Sequence, residues 1–171
     1  MTDETSDNAR NGAPNGADQE RGGPNLPMVV NAQYVRDLSF ENPNAPASLM
    51  ATGSGQPQID LQVDVQARGV AENVSEVLLN IRAEATQAER TAFIVELSYA
   101  GIFTLPPLPM EQARALLLIE APRLLFPFAR AIIADTVRDG GFPPMMLQPL
   151  DFVDLYRRQV MGQGQQATAQ A

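Results

Sequence analysis

Apolar and polar residues alternate one by one over residues 59–68, and this pattern constrains the fold more than any other feature of the chain. The apolar members are Ile59, Leu61, Val63, Val65 and Ala67, and the polar members are Asp60, Gln62, Asp64, Gln66 and Arg68. Successive side chains of a strand point to opposite faces, so the segment predicts a strand with one buried and one solvated face. Such a strand needs neighbours in a sheet and a second layer over its apolar face.

Three further segments alternate in the same way. The predicted inward residues are Val30, Ala32, Tyr34, Leu38 and Phe40 in the first strand, Val77, Leu79, Ile81 and Ala83 in the third, and Phe93, Val95, Leu97 and Tyr99 in the fourth. Arg36 interrupts the apolar parity and indicates a bulge or a local change of face. A turn is predicted at residues 87–90, and a long connection rich in Pro and Gly at residues 42–57. Short spacings after the second strand favour an antiparallel meander.

The second half of the chain has helical patterns. Residues 110–120 are apolar at positions 110, 113 and 115–119, which covers nearly the whole circumference of a helix. Such a helix must be buried on several sides, and a single sheet covers only one of them, so oligomerisation is predicted. Pro122 is expected to end this helix and Pro127 to lie in the first turn of the next, which Gly140 and Gly141 terminate. Asp151 is predicted to cap a last short helix.

These elements predict an α+β fold, a four-stranded antiparallel sheet followed by helices packed on one face. Residues 28–161 form the predicted folded domain. Residues 1–27 and 162–171 contain almost no large apolar side chains, so both are predicted to be disordered tails. The N-terminal residues are acidic and polar and resemble no signal peptide, and no apolar run is long enough for direct membrane insertion, so a cytoplasmic location is expected.

Composition removes several classes of function. The 171 residues carry a formal charge of −8, all twelve basic residues are Arg, and Cys, His and Lys are absent. An acidic surface repels phosphate backbones, so no nucleic acid is expected as a partner. The usual zinc ligands, the thiol nucleophile and the commonest general base are missing. We therefore expect no metal site, no cofactor and no catalytic residues, and predict that the chain is not an enzyme.

Two surfaces remain as candidates. Asp37 and Glu41 share the outward parity of the first strand, and Ile94 and Glu96 that of the fourth. If the two strands are neighbours, the four residues form an acidic surface with an apolar centre, which fits either a docking patch for a basic partner or a solvated sheet face.

The second candidate consists of apolar residues in loops, namely Leu49, Met50 and residues 142–146. They fit recognition of varied apolar segments, or they merely close the ends of the core. Two carboxylate pairs, Asp60 with Asp64 and Glu72 with Glu76, are interpreted as solvated charges rather than acid/base pairs.

Three segments in order are similar to the SecB family of bacterial protein-export chaperones. They are YVRDLSFENPNAP at residues 34–46, ERTAFIVELSYAGIF at residues 89–103, and APRLLFPFARAIIADTVRDGGFPPMMLQPLDF at residues 121–152. The resemblance covers residues 28–160, essentially the whole predicted domain. It implies an ATP-independent holdase that binds unfolded precursor proteins and delivers them to the export motor SecA. The alternative is an oligomeric small-ligand-binding or scaffolding module without affinity for unfolded chains.

The resemblance also implies residue roles and an assembly. SecA contacts are expected from Asp37, Glu41, Ile94 and Glu96, and the client groove from Phe40, Leu49, Met50, Leu61 and Phe142. The expected assembly is a homotetramer, a dimer of dimers, with the first helix at the central interface through Ala113, Leu116, Leu117 and Glu120. The chain has no Trp in the connection after the first strand, where many SecB proteins have one.

Overall fold

The computed structural model describes residues 28–50 and 55–168, and the side chains up to residue 160. Four strands form one sheet: β1 is Val29–Glu41, β2 is Gln58–Ala71, β3 is Val74–Gln87 and β4 is Arg90–Thr104. Every neighbouring pair is antiparallel, and the order across the sheet is β1, β4, β3, β2. The predicted meander of β2, β3 and β4 is confirmed. The predicted N-terminal tail, residues 1–27, lies outside the described residues.

The long connection after β1 crosses from one edge of the sheet to the other. Because β1 pairs with β4 and β2 lies at the opposite edge, the chain must traverse the whole width of the sheet between the two strands. The connection begins with a short helix, α1, at Ala47–Met50, which the sequence pattern did not predict. It places Leu49 and Met50 near one end of the sheet, with both side chains exposed.

Strand β1 changes face at Arg36. Tyr34 pairs with Ala100 and Leu38 with Leu97, and the register shifts between Val35 and Asp37. Directly paired residues share a face, and residues 97 and 100 of β4 point to opposite faces. The predicted bulge at Arg36 is therefore confirmed, but the placement of Ala32 and Tyr34 on the same face as Leu38 and Phe40 is wrong. One extra residue in a strand reverses the parity of the residues before it, and a second register shift between Val30 and Ala32 returns Val30 to the face of Leu38.

A nearly continuous helical segment follows the sheet. It consists of α2 at Met110–Ala115, a π-helical turn at Leu116–Glu120, and α3 at Ala121–Asp139. The predicted break at Pro122 is wrong, because Pro122 lies in the first turn of α3, directly after the π-helical turn, where its missing N–H is tolerated. Pro127 lies inside α3 rather than in a first turn. Burial of its neighbours Leu125 and Phe126 against the sheet outweighs its cost of about 3 kcal/mol.

The last helix, α4, spans Phe152–Thr168 and begins where the sequence predicted. The Oδ1 atom of Asp151 accepts hydrogen bonds from the backbone N–H groups of Val153 and Asp154, at 2.9 and 3.1 Å. The helix extends into residues 162–168, part of the predicted C-terminal tail, although Gly162 and Gly164 disfavour a helix there. Residues 169–171 lie outside the described residues.

The core lies between the helices and one face of the sheet, here called the inner face. Its large, fully buried side chains include Val77, Leu79, Ile81, Val95, Leu97 and Phe103 from the strands and Leu125, Ile133, Val137 and Phe152 from the helices. The predicted α+β class, with a four-stranded antiparallel sheet and helices packed on it, is confirmed. The polar parity of the strands forms the opposite, outer face. Within the described residues, no helix is long and apolar enough to cross a membrane.

Candidate functional site

Directly paired residues of the four strands form rows across the outer face. Read from β1 to β2, the first row is Glu41, Ile94, Glu84 and Asp60, the second is Ser39, Glu96, Arg82 and Gln62, and the third is Asp37, Ser98, Asn80 and Asp64. We call these three rows the acidic end of the outer face. It brings together all four residues predicted to contact SecA, because β1 and β4 are neighbours.

Ile94 lies in the first row of the acidic end and is half-buried. Glu41 is its direct partner in β1 and Glu84 its direct partner in β3, so a carboxylate lies on each side of the apolar side chain. Sequence reasoning missed Glu84. Its outward parity in the third strand was readable, but its position beside Ile94 depends on the strand order and register, which no local pattern encodes.

One arginine lies among the six carboxylates of the acidic end. The Nη1 atom of Arg82 is 2.8 Å from Oε1 of Glu96, and its Nη2 atom is 3.0 Å from Oε2 of Glu84. The side chain of Glu96 remains 50% exposed. An exposed set of carboxylates around an apolar side chain attracts a basic surface over a long range and offers one apolar contact at short range.

The other end of the outer face contains a buried carboxylate. Glu76 is only 2% exposed, and it accepts hydrogen bonds from the Tyr34 hydroxyl, from Nη1 of Arg36 at 3.1 Å and from Nε of Arg68. We call Tyr34, Arg36, Arg68 and Glu76 the closed end. The interpretation of Glu76 as a solvated charge is wrong, because three donors from two other strands cover it. Glu72, its proposed companion, is exposed.

The closed end shifts two pKa values in opposite directions. The hydrogen bond from Tyr34, together with those from Arg68 and the charges of both arginines, lowers the pKa of Glu76 below its ordinary value of 4.5, although burial opposes this. The same hydrogen bond, with burial and the Glu76 charge, raises the pKa of Tyr34 above 10.0. Both shifts favour the pair of a charged carboxylate and a neutral phenol, so the closed end stabilises one protonation state.

Three aromatic rings form a cluster at the β1 edge of the inner face. The ring centres of Phe40 and Phe93 are 5.8 Å apart, and those of Phe93 and Phe142 are 4.9 Å apart. A Cβ atom added to Gly140 would lie 2.2 Å from the Phe40 ring, and one added to Gly141 would lie 3.1 Å from a Leu49 methyl group. The two glycines therefore let Phe40 and Leu49 approach the end of α3.

The structure separates the predicted groove residues into two places. Phe40, Leu49 and Phe142 lie together at the β1 edge, and Met50 follows Leu49 with 74% of its surface exposed. Leu61 lies on the same inner-face row as Phe40, but at the β2 edge, with the buried residues Val95 and Ala83 between them. Strands are about 4.8 Å apart, so three strand spacings separate Leu61 from the aromatic cluster.

The residues predicted for the oligomer interface lie on two sides of the helical segment. Ala113 and Leu117 line an open cleft of 760 Å³ between the β2 edge and α4. Leu116 and Glu120 line a shallower depression with Leu108 and Ile119. The four consecutive apolar residues of the π-helical turn are all only partly buried within one chain. Apolar surface thus remains accessible on this helix, as its sequence predicted.

The described residues contain no group of three or more acidic side chains close enough to hold a metal ion. Asp60 and Asp64 lie in the first and third rows of the outer face, with the second row between them. Gln62 donates a hydrogen bond to Asp60, and Gln66 donates one to Asp64. Asp60 is exposed, which agrees with its interpretation as a solvated charge, whereas Asp64 is half-buried and also accepts a hydrogen bond from Gln159 of α4 at 2.8 Å.

Comparisons with known proteins identify the family to which the chain is similar. A family model described as "Preprotein translocase subunit SecB" matches residues 21–163. "Protein-export protein SecB" of Rhodospirillum centenum is 68% identical over 165 residues, covering 96% of this chain and 95% of that protein. The protein of the same name from Rhodopseudomonas palustris strain BisB5 is 54% identical over 139 residues, covering 81% of this chain and 87% of that protein.

A solved structure shares the fold at low sequence identity. It is a SecB-like chaperone of Mycobacterium tuberculosis in complex with an antitoxin peptide, with a TM-score of 0.60 and 14% identity. The similarity covers 72% of this chain and 90% of that one. At this identity the likeness concerns the arrangement of the sheet and helices.

Proposed function

The chain belongs to the SecB family of protein-export chaperones, and from this we propose that it is an ATP-independent cytoplasmic holdase that delivers unfolded precursor proteins to SecA. The family consists of chaperones, so the chain is not an enzyme. The observation that carries the proposed delivery step is the acidic end of the outer face. The four positions expected to contact SecA lie there in three adjacent rows.

The acidic end supports docking of a basic surface of SecA. Asp37, Glu41 and Glu96 present carboxylates at exposed positions, and Ile94 offers an apolar contact beside Glu41. Contacts of this kind steer association and fix the orientation of a partner, while a central apolar residue contributes short-range affinity. The six carboxylates at this end also make the association sensitive to salt.

Client binding is assigned to the aromatic cluster with its neighbours Leu49 and Met50. Apolar side chains that are exposed, flexible and placed beside aromatic rings suit binding of varied apolar segments of unfolded chains. Burial of such segments keeps them from aggregating, and no ATP is needed for it. Leu61 is proposed as a separate part of the client surface at the β2 edge, because the buried residues Val95 and Ala83 lie between it and the aromatic cluster.

Two apolar surfaces support a dimer of dimers. One is the free edge of β1, where Val29, Val35 and Leu38 are 63%, 44% and 41% exposed. The other is the helical segment at residues 110–120, with Leu116, Leu117 and Ala113 partly exposed. A tetramer of this kind needs two different self-complementary interfaces, and an unpaired strand edge and an apolar helix face can each provide one.

Charge reversal separates docking from client binding. Asp37→Arg and Glu96→Arg should each weaken SecA binding by at least tenfold, because they place a cation against a basic partner. Glu72→Arg is the matched control, since it makes the same change in charge at an exposed turn away from the acidic end. Binding to SecA is measured by titration calorimetry, and client binding by protection of a slowly folding precursor from aggregation. Equal loss of both activities in Asp37→Arg would contradict the division into two surfaces.

Light scattering without ATP tests the holdase itself. A precursor diluted from denaturant should remain unaggregated at one tetramer per client. Leu49→Glu should reduce this protection, because it places a charge beside the aromatic cluster, and it should leave SecA affinity unchanged. If the wild-type protein gives no protection under these conditions, the proposed function is wrong.

A separate measurement tests the proposed assembly. Leu117→Asp places a charge in the proposed helix interface, so it should shift the assembly to a smaller species in light scattering coupled to gel filtration.

A further inference from the structure

Arg82 lies inside the proposed docking surface, although it carries the charge expected of the partner. In β3 it is directly opposite Glu96 of β4 and two residues from Glu84 on the same face. Its guanidinium contacts both carboxylates, at 2.8 and 3.0 Å, and its side chain is 34% exposed. Two acids of the acidic end are therefore already paired with a cation from the same chain.

The two carboxylates differ in what else holds them. Glu84 also accepts a hydrogen bond from the Thr91 hydroxyl at 3.1 Å, so its position does not depend on Arg82 alone. For Glu96, Arg82 is the partner that the structure gives, and half of the Glu96 side chain remains exposed. An ion pair of this exposure contributes at most about 1 kcal/mol, which a competing basic side chain can match.

We propose that Arg82 occupies, in the unbound chaperone, the place that a basic side chain of SecA takes on docking, and that it thereby limits the affinity of the complex. Glu84 is a further docking residue in this arrangement, since it flanks Ile94 and becomes available together with Glu96. The proposal rests on the docking surface proposed above. It adds a residue that opposes binding, and a mechanism in which one ion pair is exchanged for another.

Two physical features favour competition over a supporting role for Arg82. A cation in the patch reduces the negative field that attracts a basic partner, so its removal should increase the association rate. In addition, docking must break or share the contact between Arg82 and Glu96 before Glu96 can pair with SecA. A supporting role would require that Arg82 hold Glu96 in an orientation that the exposed side chain does not otherwise adopt.

The test compares SecA binding by wild-type protein, Arg82→Gln and Arg82→Lys. The Arg82→Gln variant should bind about three- to tenfold more tightly at low salt, the range expected for one surface ion pair and one unit of charge. Its affinity should also fall more steeply with salt, because the net charge of the acidic end is more negative. Arg82→Lys keeps the charge and should remain within about twofold of wild type.

The matched control is Arg138→Gln in α3. Arg138 also contacts two carboxylates, those of Asp135 and Asp139, and it is 56% exposed, but it lies on the helix rather than on the outer face. The same change in charge there should leave SecA binding unchanged. Thermal unfolding of each variant checks that the fold is retained.

Each outcome has a distinct meaning. Unchanged or weaker binding by Arg82→Gln overturns the competition proposal, and weaker binding in both Arg82 variants indicates that Arg82 positions Glu96. If Asp37→Arg keeps full SecA affinity in the same assay, the docking surface itself is wrong. If Asp37→Arg loses affinity while Arg82→Gln gains none, the docking surface stands and only the role of Arg82 fails.

Discussion

The acidic end and the closed end of the outer face use the same residue types in opposite ways. Glu96 in the acidic end has one arginine partner and is half exposed. Glu76 in the closed end has a tyrosine and two arginine partners and is 2% exposed. A carboxylate with three donors and no access to water stabilises the fold, whereas one with a single exposed partner can exchange that partner.

The bulge at Arg36 separates the two ends. It reverses the faces of β1, so that Tyr34 lies on the outer face above Glu76, while Asp37 begins the acidic end on the same face. A regular strand would have placed Tyr34 on the face opposite Asp37. One inserted residue therefore supplies the phenol that Glu76 needs, without turning the docking residues inward.

The largest expected difference between the two ends concerns stability. Glu76→Ala should lower the free energy of unfolding by about 2–3 kcal/mol, because three donors lose a charged acceptor at a buried position. Glu96→Ala, the matched change in the acidic end, should cost less than about 0.5 kcal/mol. Chemical denaturation at one protein concentration measures both, since the stability of an oligomer depends on concentration.

One result of this measurement would contradict the comparison between the two ends. Similar losses in the two variants would mean that the number of donors and the burial of the carboxylate do not distinguish the ends. A second requirement is that Glu76→Ala, under conditions in which it is fully folded, binds SecA like the wild type. Loss of docking there would show that the two ends act as one surface.

The pH dependence of stability gives a second test of the difference between the two ends. The pKa of Glu76 is lower in the folded chain than its ordinary value of 4.5, mainly through the Tyr34 hydrogen bond. A lowered pKa means that its contribution is complete above pH 4.5 and is lost as the pH falls through the folded value. The stability difference between wild type and Glu76→Gln should therefore be largest near neutral pH and shrink in acid. A difference that grows on acidification would contradict the direction of the shift.

Tyr34→Phe should have a smaller effect, about 1 kcal/mol, because it removes one hydrogen bond while the arginines remain. The phenyl ring keeps the packing of Tyr34, so the loss reports on the hydroxyl. In Tyr34→Phe the acid-dependent loss of stability should also be smaller and end at a higher pH, because the main cause of the lowered Glu76 pKa is gone. Titration of unfolding against pH checks this.

Local sequence patterns predicted the strands, their buried faces and several helix ends, because each of these depends on residues close together in the chain. Alternation in β2, β3 and β4 identified the strands and their buried faces, since a period of two needs no knowledge of the partner strand. The Asp151 cap and the Gly140 stop were readable because both act within a few residues. The continuation of the helical segment through Pro122 was not predicted, because a proline usually ends a helix, and here it lies in the first turn of α3, directly after the π-helical turn.

The site residues also fall into those that local patterns predicted and those that depend on the tertiary structure. Parity placed Asp37, Glu41, Ile94 and Glu96 outward, and similarity to the SecB family suggested their role. The roles of Glu84, Arg82 and Glu76 depend on strand order and register, which bring together residues as distant in sequence as Tyr34 and Glu76, 42 positions apart. Their surroundings are non-local, so a pattern along the chain could only present them as ordinary surface charges.

The smallest expected effect belongs to Arg68, and it tests why the closed end is stable. Arg68 contacts Glu76 directly, yet its side chain is 60% exposed, and Arg36 contacts the same carboxylate. Arg68→Gln should therefore cost only about 0.5 kcal/mol, because water and the second arginine compensate for much of the loss. That small cost should decrease further at high salt, whereas the cost of Tyr34→Phe should not, since a neutral donor is not screened. A cost as large as that of Glu76→Ala would mean that the charge pair, rather than burial and the phenol, holds the closed end together.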